Sequence, residues 1–150
     1  KGITVALATD GPASNDLLDM FEEMRVGALL QKVHHHDPSV ISADKLLEMA
    51  TVNGAKVAQV DAGVLAPGKL ADIIILNLRQ AHSLLLHDIV QTVVYCAKGS
   101  DVEMSIINGK VIMENRKLLT IDEDEMLAKA FAYAKTKLVG WDDRGLAPEF

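Results

Sequence analysis

The chain is short of cysteine, proline, aromatic residues and long apolar runs, and each shortage excludes something. Cys96 is the only cysteine in 150 residues, so no intrachain disulfide can form and nothing points to an oxidising compartment. Cytoplasm is the default location. With only 4 prolines, and with 49% hydrophobic and 24% charged residues, the chain is neither collagen-like nor low-complexity nor disordered, and it needs a packed core. Apolar stretches such as Ile73–Leu76 fall far short of the roughly 20 residues that a membrane span requires, so the chain reads as soluble with no membrane partner. Lys and Arg are outnumbered by acids, giving a net charge of −6, and they form no cluster, which speaks against nucleic acid as a partner. A basic leader is missing too. The start on Lys1, without Met or a cleavage pattern, reads as a chain entered partway through. Finally, 150 residues are too few for a complete (β/α)8 barrel, which takes about 250.

What is there alternates in texture. Ile3, Val5 and Leu7 belong to a short apolar run without polar alternation, which predicts a strand buried on both faces over residues 3–8. Gly11 and Pro12 end it. Ser14, Asn15 and Asp16 are N-cap residues ahead of a helical pattern of Leu17, Met20, Phe21, Met24 and Ala28 that extends to about Val33. A second helix is predicted from Ser42 as N-cap to Ala58, with Gly54 as its weak point. Pro67-Gly68 then suits a type II turn leading into a strand over residues 73–78. Asn108-Gly109 is the favoured pair for a type I′ hairpin between residues 102–107 and 110–113. Residues 88–97 fit a short helix or a strand equally well. Asp122 and Glu125 resemble a capping box, flanked by Ile121 and Met126 at the positions of a hydrophobic staple, and predict a helix over residues 123–138. Residues 140–150 read as a tail.

Few residues offer chemistry. Asp10 stands at the C-terminal end of an apolar strand, where α/β folds place catalytic groups. A turn cap through Gly11 explains the same tripeptide equally well. His34, His35 and His36 are consecutive, and on a helix such residues point about 100° apart and cannot share one ion, so they read as an exposed C-terminal turn ahead of Asp37-Pro38. His82 and His87 read as structural, and Cys96 as a small buried hydrophobe. No nucleophile elbow and no phosphate loop occurs.

Four motifs in order carry a resemblance. Val5-Ala6-Leu7-Ala8-Thr9-Asp10-Gly11-Pro12-Ala13-Ser14-Asn15, followed by Met20-Phe21-Glu22-Glu23-Met24-Arg25, resembles the eighth barrel strand and next helix of the metal-dependent amidohydrolase superfamily. The similar branch is that of methylthioadenosine/S-adenosylhomocysteine deaminases and triazine-type chlorohydrolases. Met49-Ala50-Thr51-Val52-Asn53-Gly54-Ala55 resembles a following helix, Gly63-Val64-Leu65-Ala66-Pro67-Gly68-Lys69-Leu70-Ala71-Asp72 the return to a small β domain, and Ile107-Asn108-Gly109-Lys110-Val111 its hairpin.

The resemblance implies an α/β fold comprising the C-terminal part of a TIM-like barrel over residues 1–60, part of a small composite β domain over 61–121, and a C-terminal helix and tail over 122–150. It carries Asp10 onto a metal ligand that also shuttles protons, and Ser14 and Asn15 onto the loop that braces that ligand or borders the substrate. It implies one divalent metal in the complete protein, zinc ahead of iron, and hydrolytic deamination of an adenosine-like or other small N-heterocyclic substrate. Dechlorination, or hydrolysis of another C–N bond, within the same fold is the alternative. The other ligands of the superfamily, His-x-His and further His residues, together with a proton-transferring Glu, are absent here. No metal or activity is therefore expected on this chain alone, and its first partner is the N-terminal remainder of the same protein. Homo-oligomers are common in the branch. From a different class, the chain could serve as a noncatalytic interaction module, or bind metal through His34–36.

Overall fold

The computed structural model describes residues 2–84 and 87–137. Helix α1 (Met20–His35) begins where the Asp19 carboxylate accepts the Phe21 N–H at 2.8 Å, with Glu22 and Glu23 in its first turn. The helix thus starts later than the cluster at residues 14–16 suggests, because Asn15 spends its side chain within its own loop and on α1, leaving Asp19 to cap. Leu17 and Leu18 stay outside the helix and exposed. At the other end His36 closes α1 in the left-handed conformation, and His34, His35 and His36 lie exposed on the last turn as expected.

The predicted second helix is two helices. Ser42 caps α2 (Ala43–Ala50) by accepting the Lys45 N–H, and α3 (Val52–Ala58) follows. The break falls at Thr51 rather than Gly54. Thr51 turns to φ −126°, ψ −85°, and its hydroxyl donates to the Leu47 carbonyl at 2.7 Å. The cause is tertiary: the Gly63 backbone packs so closely on Thr51 that a Cβ at 63 would stand 2.9 Å from the Thr51 carbonyl oxygen. Helix α4 (Ile89–Tyr95), capped by Asp88, resolves the ambiguity over residues 88–97 in favour of helix.

Helices α1, α2 and α4 pack together around Phe21, Met24, Ala28, Ala43, Leu46, Val94 and Ala97, the buried hydrophobic core among the described residues. Strands β1 (Ile73–Leu76), β2 (Val102–Ile107), β3 (Lys110–Glu114) and β4 (Lys117–Leu118) form an antiparallel sheet in that order. Asn108 and Gly109 both take positive φ, 49° and 76°, as a type I′ turn requires. Lys69 N–H reaches the Ala66 carbonyl across Pro67-Gly68, with Gly68 at φ 86°, the type II geometry. The second hairpin, through Asn115 and Arg116, has no strong turn signal. Its left-handed Arg116 is held from outside, by its N–H to the Glu103 carbonyl and its guanidinium to the Ser100 carbonyl. Helix α5 (Glu123–Lys137) starts with Asp122 accepting the Glu125 N–H at 3.0 Å. The last predicted helical residue, Leu138, and the tail lie outside the described residues.

Gly63 and Gly109 both sit at positive φ, but only Gly63 meets backbone where a Cβ would go. In the full-length protein Gly63→Ala should lower unfolding free energy by about 2 kcal/mol or more, whereas Gly109→Ala should cost about 1. Urea titrations check this; equal losses would show that the Gly63–Thr51 approach does not shape the junction.

Candidate active site

The segment that leads to Asp10 has no regular secondary structure and pairs with no strand among the described residues, in contrast to the doubly buried strand predicted from its sequence. Ile3 is 77% and Val5 55% exposed, because no neighbouring strand among the described residues covers them. Two bonds tie it down instead. Leu7 N–H donates to the Met49 carbonyl at 3.1 Å, and the buried Asn53 donates through Nδ2 to the Val5 carbonyl at 2.8 Å. Asn53 is a residue that sequence reasoning missed; its signal is a polar side chain amid the apolar Val52, Ala55 and Val57 of a short helix.

Asp10 ends the segment in the left-handed region at φ 58°, a conformation that Asp tolerates better than most residues. Its side chain is exposed, and Oδ1 accepts the Gly11 N–H at 2.7 Å while Oδ2 has no hydrogen-bond partner among the described residues. Gly11 turns its carbonyl the other way, to accept Ser14 N–H at 3.0 Å, Asn15 N–H at 2.9 Å and the Ser14 hydroxyl at 3.1 Å. Asn15 then reaches α1, where Nδ2 donates to Glu23 Oε1 at 2.5 Å. Asp10, Ser14 and Asn15 therefore share one small hydrogen-bonded loop.

At the far end of α1's capping residue lies a second anchor. Asp19 Oδ2 accepts the Gly99 N–H at 3.0 Å, joining α1 to the 3₁₀ turn Gly99–Asp101. Asp101 is buried, and its Oδ2 accepts from His82 Nε2 at 2.8 Å and from Lys98 N–H at 3.0 Å. Burial pushes the Asp101 carboxyl up, but the His82 and Lys98 hydrogen bonds and the charges of both partners outweigh it and hold the group below the ordinary carboxylate range. His82 is thus structural, as read. Cys96 is half-buried rather than buried, since it follows the last turn of α4 instead of facing the helical core.

The amidohydrolase family profile matches residues 1–112, three quarters of the chain. This chain belongs to the amidohydrolase family. It is 50% identical over 142 residues to a 5-methylthioadenosine/S-adenosylhomocysteine deaminase of Syntrophomonas wolfei, covering 93% of this chain and 33% of that protein. Among solved structures it matches a zinc-bound adenosine deaminase from Xanthomonas campestris with a TM-score of 0.85 and 31% identity, over 89% of this chain and 31% of the other. The atrazine chlorohydrolase of Arthrobacter aurescens, complexed with zinc, matches with a TM-score of 0.75 and 30% identity, over 87% and 30% of the two chains. The chain spans about a third of the length of the curated relatives it matches.

Both amidohydrolase structures carry zinc, and a catalytic zinc takes about three protein ligands plus water. Among the described residues no three His, Cys, Asp or Glu side chains gather to hold an ion. Asp10, with Oδ1 bonded and Oδ2 without a hydrogen-bond partner among the described residues, fits a single coordination position and nothing more. Nor is any helix among the described residues long and apolar enough to cross a membrane.

Because the folded Asp101 carboxyl titrates low, its stabilising contribution is complete above the ordinary carboxylate range and fades as pH falls through the lower folded value, below about pH 4. His82→Ala should cost about 1–3 kcal/mol near neutral pH and flatten the acid limb of the stability curve. Unfolding free energies between pH 3 and 7 test this; an unchanged acid limb would remove the pair from the account.

Proposed function

We propose that the complete protein hydrolyses a C–N bond of an adenosine-type or other small N-heterocyclic substrate and releases ammonia, with Asp10 as the reacting carboxylate contributed by this chain. The observation that carries this reading is the exposed Asp10, its Oδ1 pinned by Gly11 and its Oδ2 without a hydrogen-bond partner among the described residues, within a chain half identical to a deaminase. The protein's divalent metal, zinc ahead of iron, would bring a water molecule to a usable pKa. Asp10 Oδ2 would accept a proton from the attacking water and return it to the leaving amine, a role that suits a carboxylate fixed in orientation yet open on one side. Ser14 and Asn15 hold the loop beside it through the Gly11 carbonyl. The remaining ligands lie outside these 150 residues, so the chain alone is inactive. Residues 1–60 would complete the barrel, 61–121 the small β domain, and 122–150 form the closing helix and tail.

The similarity to an atrazine chlorohydrolase supports a second reading, displacement of chloride from a heterocycle on the same carboxylate framework. In the full-length protein Asp10→Asn should lower turnover at least about 100-fold, the usual worth of a positioned acid–base group. Ammonia release from 5′-substituted adenosines, set against chloride release from chlorinated triazines, decides between the two readings. Near-normal turnover of Asp10→Asn would sink both.

A further inference from the structure

We infer that Glu23 is a positioning residue for the Asp10 carboxylate, acting through Asn15 and the two peptide groups that flank the Gly11 Cα. The inference rests on the reading that Asp10 reacts. Gly11 is gripped on both sides: its N–H by Asp10 Oδ1 at 2.7 Å, and its carbonyl by Ser14 and Asn15 N–H groups at 3.0 and 2.9 Å. The Asp10 carboxylate therefore follows the Asp10–Gly11 peptide, and the bonds to the Gly11 carbonyl fix the adjoining Gly11–Pro12 peptide one Cα away. Pro12, Ala13 and Ser14 are exposed, so burial does not fix the loop. Its fixed point is the Asn15 side chain, which donates to Glu23 Oε1 at 2.5 Å while its Oδ1 accepts the Leu17 N–H at 3.3 Å. Glu23 in turn sits in the first turn of α1 beside the buried Phe21 and Met24, and so is carried by the helical core.

The bond is half-buried and has a charged acceptor, which makes it stronger than a neutral one and directional. Glu23 makes no ion pair among the described residues, whereas its neighbour Glu22 pairs with Arg25. Its carboxylate is thus left to Asn15. Partners that orient a reacting or metal-binding carboxylate from behind commonly change activity by about 10–100-fold when removed.

The test exploits the polarity of the bond in the full-length protein. Asn15→Asp places two carboxylates face to face and should lower kcat about 10–100-fold with KM changed less than about threefold. Adding Glu23→Gln lets an amide at 23 donate to a carboxylate at 15, restoring the link with its polarity reversed, and should recover most of the lost kcat. Amide hydrogen exchange over residues 11–17 should accelerate in Asn15→Asp and return toward wild type in the double variant. Failure of Glu23→Gln to rescue either kcat or exchange would overturn the proposal, as would faster exchange with unchanged kcat. Asp10→Asn, assayed in parallel, separates the two layers: if it stays active, the reading of Asp10 falls, while the exchange result still reports whether Glu23 holds the loop.

Discussion

Two hydrogen bonds hold the segment that ends in Asp10, the Leu7 N–H to the Met49 carbonyl and the Asn53 side chain to the Val5 carbonyl. One partner of each bond is helical, the Met49 carbonyl on α2 and the Asn53 side chain on α3, so the place of Asp10 depends on where those helices lie. They lie where Leu46, Ala43 and the other core side chains put them, against α1 and α4. The side chain of Asn53 is buried and would be costly to leave unpaired. A strand ladder would spread this burden over many bonds. Here it rests on two.

Helix α1 serves the same purpose from the opposite direction. Asp19 starts it and also receives Gly99, so one carboxylate fixes the helix to the turn that opens β2. Glu23, one turn later, receives Asn15 from the loop after Asp10. The His82–Asp101 pair secures the far side of that turn, and through it the antiparallel sheet is joined to the helical layer. Sheet, helices and candidate site are thereby linked by polar contacts in addition to the apolar core, against which Leu7, Leu76 and Val102 also pack.

The sequence was legible where local chemistry decides. The Pro67-Gly68 turn, the Asn108-Gly109 hairpin, the Ser42 and Asp122 caps and the exposed histidine turn all follow from residues within a few positions of one another. It was illegible where distant contacts decide. The break at Thr51 comes from Gly63, twelve residues on, and the left-handed Arg116 is stabilised by Ser100 and Glu103. Residues 3–8 have the composition of a buried strand but pair with no strand among the described residues, and composition cannot show what stands alongside. Asp10 was legible as a candidate from its place after an apolar run. Asn53 and Glu23 were not, since their importance arises from partners 48 and 8 residues away.

Under the proposed function, these 150 residues would supply one coordinating carboxylate, Asp10, to a metal centre completed by the rest of the polypeptide. Zinc content, measured by elemental analysis on the full-length protein and on residues 1–150 purified in parallel, tests it most directly. The account predicts stoichiometric zinc in the full-length protein and none retained by residues 1–150. Stoichiometric zinc on the 150-residue chain would contradict it and place a complete site within this sequence.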